Sequence, residues 1–178
     1  MAKKQVSVKA TAKFDVDQVM QIIQDELQEA AQKISLEFVT NIKLVLNRGG
    51  GGTGKNRVHS PPGSPPFKQT GTLGRSWAYI KPNQGKPGKE IKTTVGQKRI
   101  GNVLKYAMAL QWGYRPNNLL PRPYLQPAMK AVSGTNPIKK GQYKLRAIIT
   151  TNSKAYKHIK NHMAIASKKA NQLYKGSK

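Results

Sequence analysis

The run GGGGTGKN at residues 49–56 is the first candidate for chemistry, because a glycine, four residues and then Gly54-Lys55 is most of a phosphate-cradling loop. Such a loop follows a strand, opens a helix and places Ser or Thr after its lysine to hold magnesium. Here a helical pattern comes before, Asn56 stands in the hydroxyl position, and Pro61-Pro62 forbid the helix whose N-terminus would hold phosphate. Residues 49–57 are therefore read as a flexible basic loop. His158 and His162 stand four apart, a spacing able to share a metal on one helix face. A metal needs three or four ligands, and carboxylates are nearly absent beyond residue 37, so both histidines are assigned to solvated surface. Glu90 balances charge locally with Lys89 and Lys92. Trp77 and Trp112 offer rings on which bases could stack, but their places on a strand and at a helix end assign them to packing. No catalytic residue, metal or cofactor is expected, and the chain is not expected to be an enzyme.

The elements that must carry these residues follow from periodicity. Val6, Val8, Ala10 and Ala12 alternate with polar neighbours and predict a strand over 5–12. Asp15 is placed to cap a helix, with Gln18 at the capping-box position and Phe14 and Val19 as a hydrophobic staple. Apolar residues at steps of three and four then predict one amphipathic helix over residues 16–46, stopped by Asn47-Arg48-Gly49. At 1.5 Å per residue it would reach about 45 Å, wider than a small domain, so part of its stripe needs a partner beyond the compact core. A neighbouring subunit is the natural partner, and a bend or break in the helix is the other solution. Further on, the pattern predicts a short helical turn at 72–76, strands at 77–81 and 89–96 joined as a hairpin, helices at 103–112 and 123–132, a strand at 142–151, and a final helix from its cap Ser153 to about Tyr174. The fold class expected is α+β: a long N-terminal helix on a small, mainly antiparallel sheet, with short helices and a C-terminal helix.

Charge narrows the partners. The 178 residues hold 32 Lys+Arg against 7 Asp+Glu, a net +25. Six of the acids (Asp15, Asp17, Asp25, Glu26, Glu29 and Glu37) fall within residues 15–37. Beyond Phe38 only Glu90 is acidic, against 27 basic residues. Such a surface repels itself and attracts polyanions, of which nucleic acid is the obvious one. No zinc-finger spacing or aromatic–basic motif of the RRM kind is present, so the attraction carries no sequence recognition. There is no cysteine, which excludes disulfides and thiolate metal sites and suits a reducing cytoplasm. No apolar run approaches a membrane span, and MAKKQVSVKA lacks the apolar core of a secretory signal.

Three stretches stand in order: SPPGSPPFKQTGTLGRSW from residue 60, KYAMALQWGY from 105 and PRPYLQPAM from 121. In this order and spacing they resemble the tail-component or neck-protein family of long-tailed double-stranded DNA phages. The family's pattern meets the chain at Pro62, Gly63, Pro65, Pro66, Thr70, Gly71, Leu73, Ser76, Tyr106, Ala107, Trp112, Gly113, Pro121, Arg122, Pro123, Tyr124, Leu125, Pro127 and Ala128. Gln111 stands where an acid is usual, which removes an ion pair an acid there would offer to Arg122, and Tyr124 stands where Phe is usual. The likeness spans residues 60–132 together with the N-terminal helix.

The resemblance implies a neck or tail-completion domain over 1–132, with the flexible loop at 49–57 and a Pro-rich segment at 60–69. Residues 133–178 then form a basic C-terminal extension, a strand plus a helix. It implies a structural virion protein in a ring of six or twelve copies at the head–tail junction, assembled in the host cytoplasm beside other neck, head-completion and tail-tube proteins, with duplex DNA in its channel. A basic cytoplasmic nucleic-acid-binding protein is the alternative. Pro61, Pro62, Gly63, Pro65, Pro66, Phe67, Arg122 and Tyr124 are candidates for the subunit interface, Arg122 to grip a carboxylate or backbone carbonyls across it. Arg48, Lys55, Arg57, Lys86 and Lys89 are candidates to face DNA.

Overall fold

Asp15 begins the first ordered element: its carboxylate accepts from Gln18 N at 3.1 Å and satisfies one of the orphan amides of a helix start. In the computed structural model the described residues are 15–48, 58–68, 70–80, 99–102, 104, 106–139 and 145–175. The expected strands at 5–12 and 89–96, the loop 49–57, and Lys55, Arg57, Lys86 and Lys89 lie outside them. Helix α1 runs Val16–Leu46 without a break, as the apolar period requires. It closes at Asn47, whose N–H donates to Lys43 O, with Lys43 in the last turn complementing the helix dipole.

Helix α2 (Thr72–Arg75) leads into strand β1 (Trp77–Ile80), and β1 pairs antiparallel with β2 (Arg99–Asn102), Trp77 opposite Asn102 and Ile80 opposite Arg99. The strand beside β1 is thus 99–102, ten residues beyond the start of the arm the hairpin reading selected. Helix α3 (Tyr106–Trp112) stops at Gly113, whose φ of +83° is left-handed. A side chain there would also meet Leu119 O at 2.9 Å, so glycine is required twice over. After a 3-10 turn (Arg115–Asn117) and Pro121-Arg122-Pro123, helix α4 covers Leu125–Ser133. Strands β3 (Ile138–Lys139) and β4 (Leu145–Arg146) form a two-residue ladder, and helix α5 (Lys154–Lys175) closes the order. Ser153 caps α5 as its sequence position implies, accepting from Tyr156 N at 3.1 Å.

Of the strand expected over 142–151, the described part (145–151) is strand only at Leu145–Arg146, because a residue from outside it takes over the bonding. Thr135 Oγ1 donates to Ile148 O at 2.6 Å and accepts from Ile148 N at 3.2 Å, so a side chain supplies the bonds a ladder would have made. Thr150 N then bonds Ser133 O instead of a strand.

The core gathers on the C-terminal third of α1: Val39, Ile42, Val45 and Leu46 pack with Trp77, Tyr124 and Ala128. Towards its N-terminus α1 is accompanied by α5, which also touches α4. The long helix therefore runs unbroken and has α5 of the same chain as one partner, while Val16 and Met20 at its start stay exposed. Ala30 on α1 and Ala155 and Ala166 on α5 are buried, small side chains that let helices approach closely. The whole is an α+β fold, mostly helical. Among the described residues no helix is long and apolar enough to cross a membrane.

Candidate assembly surface

The three motif stretches meet in space at the turn before α4. That helix starts two residues later than Pro123 suggests, because its first amides are capped from a distance. Gln111, 1% exposed at the end of α3, accepts from Tyr124 N at 2.9 Å and Leu125 N at 3.0 Å through one oxygen, Oε1. Its Nε2 donates to Gln126 Oε1 at 2.6 Å. An acid at this position would face the α4 N-terminus, where negative charge is favoured; the neutral amide performs the same capping without ionising. The ion pair considered between position 111 and Arg122 is thus replaced by a cap, and Arg122 is occupied elsewhere.

Arg122 N donates to Leu110 O at 2.7 Å, and its Nε donates to Ser60 O at 3.1 Å. Gly63 N donates to Pro121 O at 2.9 Å. The proline strap is therefore pinned to the Pro-Arg-Pro turn at two points within one chain. Arg122 does grip a backbone carbonyl, as its rigid setting suggested, and the carbonyl belongs to its own strap. Pro61, Pro62 and Gly63 stay exposed, Pro65 and Phe67 are half-buried, and Pro66 is buried.

Tyr124 is not available to a neighbour. It is 1% exposed, meets Trp77 edge-on with ring centroids 6.0 Å apart, and donates its hydroxyl to Ala107 O at 3.1 Å. Burial pushes its phenol pKa well up. Its assignment as an interface residue gives way to a core role, since a ring with one polar tip packs inside when a carbonyl receives that tip. Trp77 likewise belongs to the core.

Two clefts flank the segment 119–122. One, of about 440 Å³, is walled by Leu46, Phe67, Leu73, Tyr106 and Leu110 and reaches Arg122. The other, of about 650 Å³, lies between Trp112, Tyr114, Leu120 and Pro121. Tyr106, Tyr114 and Leu120 are large and exposed, Leu120 at 57%. Apolar side chains grouped around clefts and a rigid strap are the kind of surface that proteins bury against other proteins.

The second polar cluster joins α5 to α1. His162 is 5% exposed, and its Nδ1 lies 2.6 Å from Glu26 Oε2. Lys169 Nζ donates to Glu26 Oε1, also at 2.6 Å. Lys169 chiefly, and His162 after it, hold the Glu26 carboxyl below its usual range, and Glu26 raises Lys169 in return. Lys154 pairs with Glu37 at 2.6 Å nearer the core and lowers that carboxyl too. The solvated-surface reading of His162 is thus corrected. The signal lay in the period: Glu26 stands within the apolar steps Ile23, Leu27 and Ala30, and His162 within Ala155, Ile159 and Ala166, so both lie on the inward stripes of their helices. Among the described residues no group of three or more His, Cys, Asp or Glu could hold a metal. Of the basic candidates only Arg48 is described, and it is exposed where α1 ends.

Comparison with family models, with curated proteins and with solved structures finds no match to this chain.

Proposed function

We propose that this chain is a structural virion protein of a tailed phage. It forms part of a ring at the head–tail junction, of six or twelve copies, around the channel through which duplex DNA passes. It does no catalysis; its work is to seat other neck, head-completion and tail-tube proteins and copies of itself. The observation that carries the reading is the convergence of the three motif stretches on one rigid surface. Strap, turn and α3 are locked by Gln111, Arg122 and Gly63, while Tyr106, Tyr114 and Leu120 remain exposed beside two clefts. Locking costs conformational entropy before assembly rather than during it, which favours association through that face. The net charge of +25 suits a channel lined for phosphate.

The test is electron microscopy of the purified protein alone and mixed with tails lacking it. Rings, or caps on tails, are expected for the wild type, and Leu120→Glu should abolish them while leaving the circular-dichroism melt unchanged. A wild type that stays monomeric and ignores tails would refute the reading. If that protein nevertheless bound duplex tightly, the basic cytoplasmic nucleic-acid-binding role would take its place.

A further inference from the structure

Three cations converge where α1 ends. Lys43 comes from the last turn of α1, Lys68 from the end of the strap and Arg75 from the end of α2. With Asn47 they line a recess of about 260 Å³. Gly71, with φ +74°, lines the same recess. A methyl group on Gly71 would stand 2.9 Å from Arg75 Nη1 and 3.3 Å from Lys68 Cε. Two cationic side chains, each exposed and with open water available, thus lie over the same glycine.

Among the described residues Glu37 contacts Lys154, and Glu26 contacts Lys169 and His162, so no described carboxylate lies within ion-pair distance of Lys43, Lys68 or Arg75. A helix C-terminus does attract cations, and Lys43 is explained by that alone. The end of a helix is equivalent to about half a negative charge, however, which leaves most of three positive charges unbalanced. Lys68 and Arg75 also belong to other elements and are brought to the recess by the Thr70–Arg75 turn. Arg48, one residue past the C-cap, is exposed at the same end and adds a fourth cation nearby.

We infer that Lys43, Lys68 and Arg75, with Asn47, form a binding site for backbone phosphate of duplex DNA. A guanidinium fork matches two non-bridging phosphate oxygens, two ammonium groups add point charge, and an amide can donate one further hydrogen bond. Gly71 keeps the recess clear of a side chain. The inference rests on the proposed channel for its ligand and assigns the contact to residues that no charge count singles out. The contact is sequence-independent, because only phosphate is touched.

The experiment compares two full-length variants of equal charge. K43Q/K68Q/R75Q empties the recess of cations, whereas K157Q/K160Q/K168Q removes three exposed lysines from α5. Binding to a labelled duplex is followed by anisotropy across salt concentrations. The recess variant should lose about tenfold more affinity than the α5 variant, and its log–log salt slope should fall by about 1–2. Equal losses in the two variants would mean that net charge alone matters and would overturn the site, as would no loss in the recess variant. Loss of binding to anionic-lipid vesicles with duplex binding kept would overturn it in favour of a headgroup. If the triple variant fails to fold, the exposed single changes K68Q and R75Q carry the test, each expected to cost about threefold. Electron microscopy of the same samples separates this inference from the proposed function: absent wild-type rings count against the ring, and unchanged duplex affinity counts against the recess.

Discussion

The motif hub and the α1–α5 seam hold together by opposite means. In the hub, Gln111, Arg122, Tyr124 and Gly63 all bond to backbone groups, and no carboxylate takes part. In the seam, Glu26 takes Lys169 and His162 at once, and Glu37 takes Lys154. Hydrogen bonds to backbone fix the position of a chain segment independently of pH; ion pairs fix it only while both partners keep their charge. The surface proposed for assembly is therefore held without carboxylates, while the C-terminal helix is attached through Glu26 and Glu37.

The largest effect should come from the centre of the hub. Tyr124→Ala removes a ring that is 1% exposed and its contact with Trp77. We expect a loss of about 3–5 kcal/mol in urea unfolding, in keeping with other buried aromatics cut to alanine. Gln111→Leu keeps the volume but leaves Tyr124 N and Leu125 N without their acceptor. A loss of about 2–6 kcal/mol is expected, from two amides at about 1–3 kcal/mol each, with the part-buried Leu125 N towards the lower end. That loss should be the same at every pH, and a pH-dependent loss would break the contrast between the two regions.

The seam should behave differently. The folded Glu26 carboxyl lies below its unfolded value, with Lys169 the first cause and His162 the second. Its contribution is therefore complete above the ordinary carboxylate range, from about pH 4.3 upward, and disappears as pH falls through the folded value. Lys169 is raised by the same pair, so its share is complete at neutral pH and fades only as pH climbs past the ordinary lysine range. Glu26→Gln should flatten the acid limb of the stability–pH curve, measured by denaturant unfolding from neutral to acid pH. An unchanged limb would show that α5 is held by packing alone. The smallest effect belongs to the exposed pair: Lys154→Ala, whose side chain is 56% exposed, should cost less than about 1 kcal/mol and lose even that at high salt.

Local patterns in the chain were enough for its helices. Asp15, the apolar steps of α1, Asn47, Gly113 and Ser153 mark starts and stops within a few residues of those observed, because caps and periods act between near neighbours. The α+β class, with its long first helix and its final one, was legible for the same reason. Strand partners were not. The partner of β1 at 99–102 and the bonding of Ile148 to Thr135 depend on residues far apart in sequence, which no local propensity encodes.

Sequence alone determined the helices, the six acids confined to residues 15–37 and the order of the three motifs. Only the tertiary structure decided what those pieces do. It spent Glu26 on His162 and Lys169, turned Gln111 into a cap for a helix that begins fourteen residues later, took Tyr124 into the core, and folded Lys68 and Arg75 over Gly71. The physical reason is the range of the forces. Capping and periodicity act within a turn or two of one helix, whereas burial and charge pairing are settled by whichever distant segment comes to lie alongside.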